Sequence, residues 1–266
     1  MVKTISSLQN PVIKNVLLLG EKPRARKEQN RFVIEGLREI RLAVSSGFNI
    51  TDLFYTHELI SETELTTLLQ AISKCALAEV STDVFNRMAY RKDSGGLIAL
   101  AEPRRLLFTD LQLSHRPLLL VLETVEKPGN LGALLRTADA ANLDAVIICD
   151  PQTDIYNPNA IRSSIGCIFT MPVVTASSGE AIAWMRSQGI KIFGTALTAT
   201  HHYHETDFLQ AAAIVMGSEA NGLSSTWLTG ADDLIKIPMQ GKIDSMNVAA
   251  SAAIVIFEAK RQRGFV

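Results

Sequence analysis

IPMQGKIDSMNVAASAAIVIFEAKRQR, Ile237 to Arg263, joins two unlike pieces of chain. Ala249 to Phe257 is almost wholly small or apolar, the composition of a helix that must be buried. It is introduced by Gly241, Ser245 and Asn247, within a few residues of Pro238, Met239 and Met246. A core helix needs only one capping side chain. The surplus of polar groups predicts a loop with a second task, with Ser245 as N-cap and Ser245 and Asn247 presenting a hydroxyl and an amide at the helix N-terminus.

Outward from that stretch, short apolar runs alternate with helical patterns. LLLVLE, AVIICD, TMPVVT, KIFGTAL, AAAIVMG and DLIKIPM read as strands; NLGALLRTADAAN, NPNAIRSSIGC and GEAIAWMRSQG read as helices. Continuous apolar strands joined through helices imply a parallel sheet covered on both faces. Towards the N-terminus, FVIEGLREIRLAVSSG is a helix entered from a short strand, and NITDLFYT, ALAEV and GGLIALAE are strands. SETELTTLLQAISKC is a helix opened by the Ser61/Glu64 capping-box pattern, and STDVFNRMAY another helix. EPRRLLFTDLQLSHRP breaks the rhythm with two prolines. The expected organisation is an α/β domain over 1–101, a linker over 102–116 and a second α/β domain over 117–266.

The 266 residues, 47% hydrophobic and 20% charged, have ordinary globular composition. No apolar run reaches membrane-spanning length, and MVKTISSLQNPVIK lacks a signal-peptide core, so a cytoplasmic protein is expected. Cys75, Cys149 and Cys167 match neither a disulfide framework nor a zinc spacing and are expected as buried thiols. His201, His202 and His204 are read as an exposed loop, since nothing in ATHHYHETD fixes all three on one side; no metal is expected. Net charge is -1, but residues 1–50 carry nine Lys/Arg against four Glu. KPRARKEQNR concentrates that charge in a segment too polar for burial: either a solvated surface or a phosphate-contacting arm.

Three loops at strand ends are rich in Gly and polar residues, the place where open parallel sheets bind ligands. In the first, Gly129 and Gly132 bracket Asn130 at a helix start, with Arg136 and Thr137 following. The rival reading is a dinucleotide fingerprint completed by Asp150, but the full GxGxxG is missing and the loop is long for a tight turn. The second is GSEANGL, Gly217 to Leu223; the third is the Ile237–Val248 stretch. Together they resemble the three motifs of the SpoU (TrmH) branch of SPOUT RNA methyltransferases. The first motif is matched by Asn130, Gly132, Arg136, Thr137 and Ala138, and the third by Ile237, Pro238, Met239, Gly241, Ser245, Asn247 and Val248. The second is matched except that Ala220 stands for a Gly, and in the third Met246 stands for a Leu. Ala220 puts the loop geometry in question if that position needs positive φ. ISSLQNPVIKNVLLL, the basic run and FVIEG are similar to the opening of the family's small ribosomal-protein-like substrate-binding domain.

The resemblance implies a parallel-sheet SPOUT domain with a deep trefoil knot, a homodimer, and S-adenosylmethionine-dependent methylation of a ribose 2′-hydroxyl in RNA. Ribosomal RNA is favoured over transfer RNA because of the N-terminal domain. It implies cofactor contacts at Gly217, Ile237 and Met246, with Thr195 as a fourth. Arg136 is the implied catalytic arginine, reaching the site from the partner subunit, with Asn130, Glu219, Ser245 and Asn247 positioning substrate, loops and subunit contacts. It also turns the basic run, Lys22, Arg24, Arg26, Lys27 and Arg31, towards RNA contact. The other readings left open are a nicotinamide-dependent oxidoreductase and an inactive RNA-binding homologue.

Overall fold

A computed structural model describes residues 3–90 and 94–265. In chain order its elements are β1 (Lys3–Ile5), α1 (Pro11–Glu21), α2 (Pro23–Gln29), β2 (Phe32–Glu35), α3 (Leu37–Ser45), β3 (Ile50–Tyr55), α4 (Glu62–Ala71), β4 (Ala76–Val80), α5 (Thr82–Met88) and β5 (Leu97–Ala101). There follow β6 (Leu118–Glu123), α6 (Pro128–Ala140), β7 (Ala145–Cys149), α7 (Pro158–Ser163), α8 (Cys167–Thr170), β8 (Val173–Ala176), α9 (Ser178–Ser187) and β9 (Lys191–Thr195). The last are β10 (His201–His202), β11 (Ala212–Met216), α10 (Ser225–Gly230), β12 (Asp233–Lys236) and α11 (Val248–Gln262). Two compact units result: one runs through Arg104 and takes in Asp154–Thr170, the other holds Arg105–Thr153 and the chain from Met171 onward.

The first unit carries a five-stranded sheet in the order β1-β4-β3-β5-β2, in which β5 is antiparallel to both β3 and β2 and the other pairings are parallel. Its core gathers Ile13, Leu19, Phe54, Phe85 and Ile98. Asp154–Thr170 joins it through Tyr156, whose ring stacks on Phe32 at 4.3 Å, and through Phe169, edge-on to Phe48 at 5.1 Å. The expected helix NPNAIRSSIGC is broken in two, with positive φ at Ile165 and Gly166 between α7 and α8.

The basic run corrects one expectation. KPRARKEQNR forms the helix α2 with Ala25 and Arg26 buried, and Arg26 is only 3% exposed. Its guanidinium is held by Asp154 and by the Leu19 and Gly20 carbonyls at the end of α1. A cation at a helix C-terminus satisfies carbonyls that have no partner inside the helix. Asp154, 128 positions away, supplies the counter-charge that makes burial tolerable. Arg26 is therefore a structural residue and not an exposed phosphate contact.

The second unit has a seven-stranded sheet, β10-β12-β9-β11-β6-β7-β8, in which every neighbouring pair is parallel. Its central strands are wholly buried, as their unbroken apolar sequences require. The core around Leu119, Val121, Ile147 and Val215 is closed by α9 and by the fully buried Trp227 of α10. Trp227 Nε1 donates to Ser178 Oγ at 2.8 Å, and Ser178 Oγ donates to Asp150 Oδ2 at 2.6 Å. Residues expected as linker are built into this unit: Phe108 stacks on Trp184 at 4.5 Å, and Leu111 and Leu113 pack on the core. From β6 the chain moves to β7 on one side, and from β11 to β12 on the other, so a switch point lies between β6 and β11.

Three smaller expectations change. Asn247, not Ser245, caps α11: its Oδ1 accepts from the N–H groups of Ala249 (3.0 Å) and Ala250 (3.4 Å), while Ser245 Oγ turns to Asp244. Cys149 and Cys167 are buried but Cys75 is half-buried; burial pushes the Cys149 thiol up to about 12. The histidines are not all loop: His201 and His202 form the edge strand β10, and His201 Nδ1 lies 2.9 Å from Asp233. Ligand atoms of His202, His204 and Glu205 come within 4.8 Å of one another, so two of the three histidines do share a side. Among the described residues no helix is long and apolar enough to cross a membrane.

Candidate functional site

Beyond the carboxyl ends of β9, β11 and β12 the second unit encloses a cavity of about 700 Å³. Thr195, Gly217, Ile237 and Met246, the four residues singled out for cofactor contact, all line it. Glu219, Ser245 and Asn247 line it too. Asn130 lines a small hollow alongside, which shares Gly217, Ser218, Glu219 and Val248 with the cavity. Each wall has a local cause. Thr195 is pinned at the end of β9 by its Oγ1 donating to the Val215 carbonyl at 2.8 Å. The GSEANGL loop closes on itself through paired Ser218–Gly222 main-chain bonds of 3.0 Å.

Two features of that loop answer the question raised by Ala220. Gly222 is the residue with positive φ, +66°, and Ala220 is not among the positive-φ residues, so its methyl brings no backbone strain. Ala220 therefore gives no support to the inactive-homologue reading. Gly217 is needed for close approach: a Cβ there would lie 2.2 Å from the Gly222 carbonyl carbon.

Glu219 is the hub that joins all three loops. It accepts from Lys127 Nζ and from Asn130 Nδ2. Asn247 Nδ2 donates to Asn130 Oδ1 at 3.2 Å and reaches Glu219 Oε1 at 3.5 Å. One carboxamide therefore caps the last helix through its oxygen and binds the other two motifs through its nitrogen. Lys127 escaped the sequence reading; its only signal is a cation three residues ahead of Asn130, in EKPGN. Its hydrogen bond, and then its charge and Asn130, hold Glu219 below the usual carboxylate range, and Glu219 in turn raises Lys127.

A carboxylate whose pKa falls on folding stabilises the fold above its unfolded pKa of about 4.3 and loses that contribution as pH drops through the folded value. Lys127 is 69% and Glu219 29% exposed, so the effect is modest and screened by salt. Glu219→Gln should thus lower Tm at neutral pH, with the gap from wild type closing as pH falls through and below about 4.3. Thermal melts at low salt across that range test this; a gap that persists undiminished at the acid end contradicts it.

Arg136 lines neither the cavity nor the hollow. It is exposed on α6 and, among the described residues, makes no hydrogen bond or ion pair, so it is not a buried structural residue. Asp150, the acidic residue of the dinucleotide alternative, accepts from both the N–H and Oγ of Ser178 and is committed to the packing of α9. Of the basic candidates, Lys22, Arg24 and Lys27 are exposed, although Arg24 pairs with Glu28. Arg31 is bound to Asp52 at 3.1 Å.

With this geometry in view, residues 117–257 match the SpoU rRNA Methylase family and residues 10–99 the MRM3-like substrate binding domain. The chain belongs to the SpoU rRNA methylase family. This SpoU protein is 29% identical to the 23S rRNA (guanosine(2553)-2′-O)-methyltransferase RlmP of Bacillus subtilis, over 97% of this chain and 100% of that one. It is 36% identical to the 23S rRNA (guanosine-2′-O-)-methyltransferase RlmB of Vibrio vulnificus over 71% of this chain and 78% of that one. Its fold matches the AdoMet-bound rRNA methyltransferase of Sinorhizobium meliloti with a TM-score of 0.90 at 28% identity, covering 98% of each chain. The SpoU match runs across Asp154–Thr170, the segment that packs with the substrate-binding unit.

Proposed function

We propose that this chain transfers a methyl group from S-adenosylmethionine to a ribose 2′-hydroxyl of ribosomal RNA. The observation that carries this is the Glu219-centred network, which draws the three motif loops together at the mouth of the cavity. The cavity fits the cofactor in size, within the roughly 300–1,000 Å³ of small-ligand sites. It also fits in chemistry. Among the described residues the main-chain N–H groups of 237–246 donate to no other main-chain carbonyl, leaving polar backbone along one wall for an adenine edge. Bound there, S-adenosylmethionine supplies an electrophilic methyl on a sulfonium.

Thr195, Gly217, Ile237 and Met246 would hold the cofactor, and Asn130, Glu219, Ser245 and Asn247 would keep the loops and the incoming ribose in register. Arg136, with a pKa above about 12, is a poor base. Its role in this reading is to bind the neighbouring phosphate and stabilise charge developing on the 2′-oxygen. Since it does not line the cavity of its own chain, it would come from a second copy in a homodimer. Lys22, Arg24 and Lys27 would contact RNA phosphates. The same reading includes a trefoil knot, supported by the return of α11, after β12, to pack on α6 and β11, where Arg263 binds the Phe208 and Arg116 carbonyls at 2.8 and 2.6 Å. It also includes a cytoplasmic location, with the ribosomal RNA.

The test is incubation with methyl-labelled S-adenosylmethionine and unmodified ribosomal RNA, followed by alkaline hydrolysis. A 2′-O-methyl group blocks cleavage at its own phosphodiester, so label should appear in an alkali-resistant dinucleotide that identifies the nucleotide. Label in transfer RNA alone would replace the substrate; label in neither would overturn the reading.

A further inference from the structure

The first unit has a hollow of about 300 Å³ that the cofactor site does not use. Its floor is apolar, from Val16 and Val33 of the N-terminal sequence and Ile161 of α7. At its rim stands Tyr90, 65% exposed, just beyond α5. The Arg162 guanidinium lies over the Tyr90 ring, 5.5 Å from its centroid, and the Tyr90 N–H donates to Glu35 Oε2 at 2.9 Å. Arg87 and Asn159 also line the hollow, as do the acidic residues Glu21 and Glu35. Among the described residues, Arg87 and Arg162 form no ion pair and the Asn159 carboxamide makes no hydrogen bond.

We propose that this hollow takes one unstacked nucleotide of the substrate RNA, its base against Tyr90 and its phosphates on Arg87 and Arg162. The inference rests on the RNA-methyltransferase reading and adds to it a place where a nucleotide other than the methylated one is read. Proteins recognise single-stranded RNA by stacking splayed bases on aromatic rings and guanidinium planes and by hydrogen-bonding their edges. The hollow offers each component: an aromatic ring that is 65% exposed, two arginines that form no ion pair among the described residues although Glu21 and Glu35 line the same hollow, and a carboxamide that can both donate and accept. Its volume, at the lower end of the roughly 300–1,000 Å³ of small-ligand sites, suits one base and not a helix. Arg162 and Asn159 come from Asp154–Thr170, within the residues matched to the SpoU family, while Tyr90 and Arg87 come from the substrate-binding match. The site exists only because that segment folds with the first unit.

The test uses the full chain, an unmodified transcript of 23S rRNA, and the variants Tyr90→Ala, Tyr90→Phe and Arg162→Ala. Tyr90→Ala and Arg162→Ala should raise both the Kd for the transcript and the KM for methylation by about tenfold or more, the scale of one lost stacking contact. The Kd for S-adenosylmethionine and kcat at saturating RNA should stay at wild-type values. Tyr90→Phe keeps the ring and should restore binding. Arg162→Ala should reduce the slope of log Kd against log salt by roughly one, and Tyr90→Ala should leave it unchanged. Tyr90 and Arg162 are both exposed, so neither variant should lose its fold; should Tyr90→Ala melt early, Arg162→Ala and its salt slope decide. Wild-type Kd and KM in folded Tyr90→Ala and Arg162→Ala proteins, with the parent methylating the transcript, would overturn the hollow alone. A parent protein that neither binds nor methylates any RNA would overturn the enzymatic reading and the hollow with it.

Discussion

Arg136→Ala should lose methyl transfer almost completely while binding S-adenosylmethionine as the parent does. Removal of one preorganised donor from a developing oxyanion costs about 10²–10³ in kcat. Arg136 does not line the cavity, so its truncation should remove no direct cofactor contact. It is exposed and unpaired among the described residues, so no buried partner is stranded and the fold should be unaffected. Single-turnover transfer and titration calorimetry on the same preparation separate the two quantities. A large loss of cofactor affinity would contradict the role. Mixing Arg136→Ala with a variant defective only in the cavity should restore part of the activity, because one hybrid site then has both an intact cavity and an intact arginine. Absence of any restoration would place the arginine's action within its own chain.

Gly217→Ala should be the most damaging single methyl in the cofactor wall. The added Cβ would sit 2.2 Å from the Gly222 carbonyl carbon, 2.4 Å from its oxygen and 2.5 Å from the Leu223 nitrogen. All three are main-chain atoms, so no side chain can rotate away. Overpacking of this kind costs about 1–3 kcal/mol, and opening the loop should weaken S-adenosylmethionine binding by roughly 10–100-fold. Ala220→Gly, three residues on, should leave affinity and Tm essentially unchanged, because Ala220 is outside the positive-φ set. Calorimetry and thermal melts on the pair check both. Wild-type affinity in Gly217→Ala would mean that the loop shifts freely and does not shape the cavity.

The candidate site was legible because its residues cluster in three short stretches at strand ends, where a parallel sheet must place its ligand. Asn130, Glu219 and Asn247 could each be named from their own loop. That Glu219 bonds both Lys127 and Asn130, and that Asn247 then reaches Asn130, depends on β6 and β11 being neighbours although about ninety residues separate them. Capping went the same way. Ser245 and Asn247 are both good caps by residue type, and only the path of the loop decides that Asn247 faces the first turn of α11.

The sequence by itself determined the alternation of elements, the parallel second sheet and the residue types around the cavity, since periodicity, capping and loop composition are local properties of the chain. Only the tertiary structure decided the fate of Arg26, buried by a carboxylate 128 residues away, and the allegiance of Asp154–Thr170. That segment looks like one more crossover between β7 and β8, yet Tyr156 and Phe169 find their aromatic partners in Phe32 and Phe48. Burial and pairing of this sort are set by which surfaces meet in space, and no periodicity along the chain encodes that meeting.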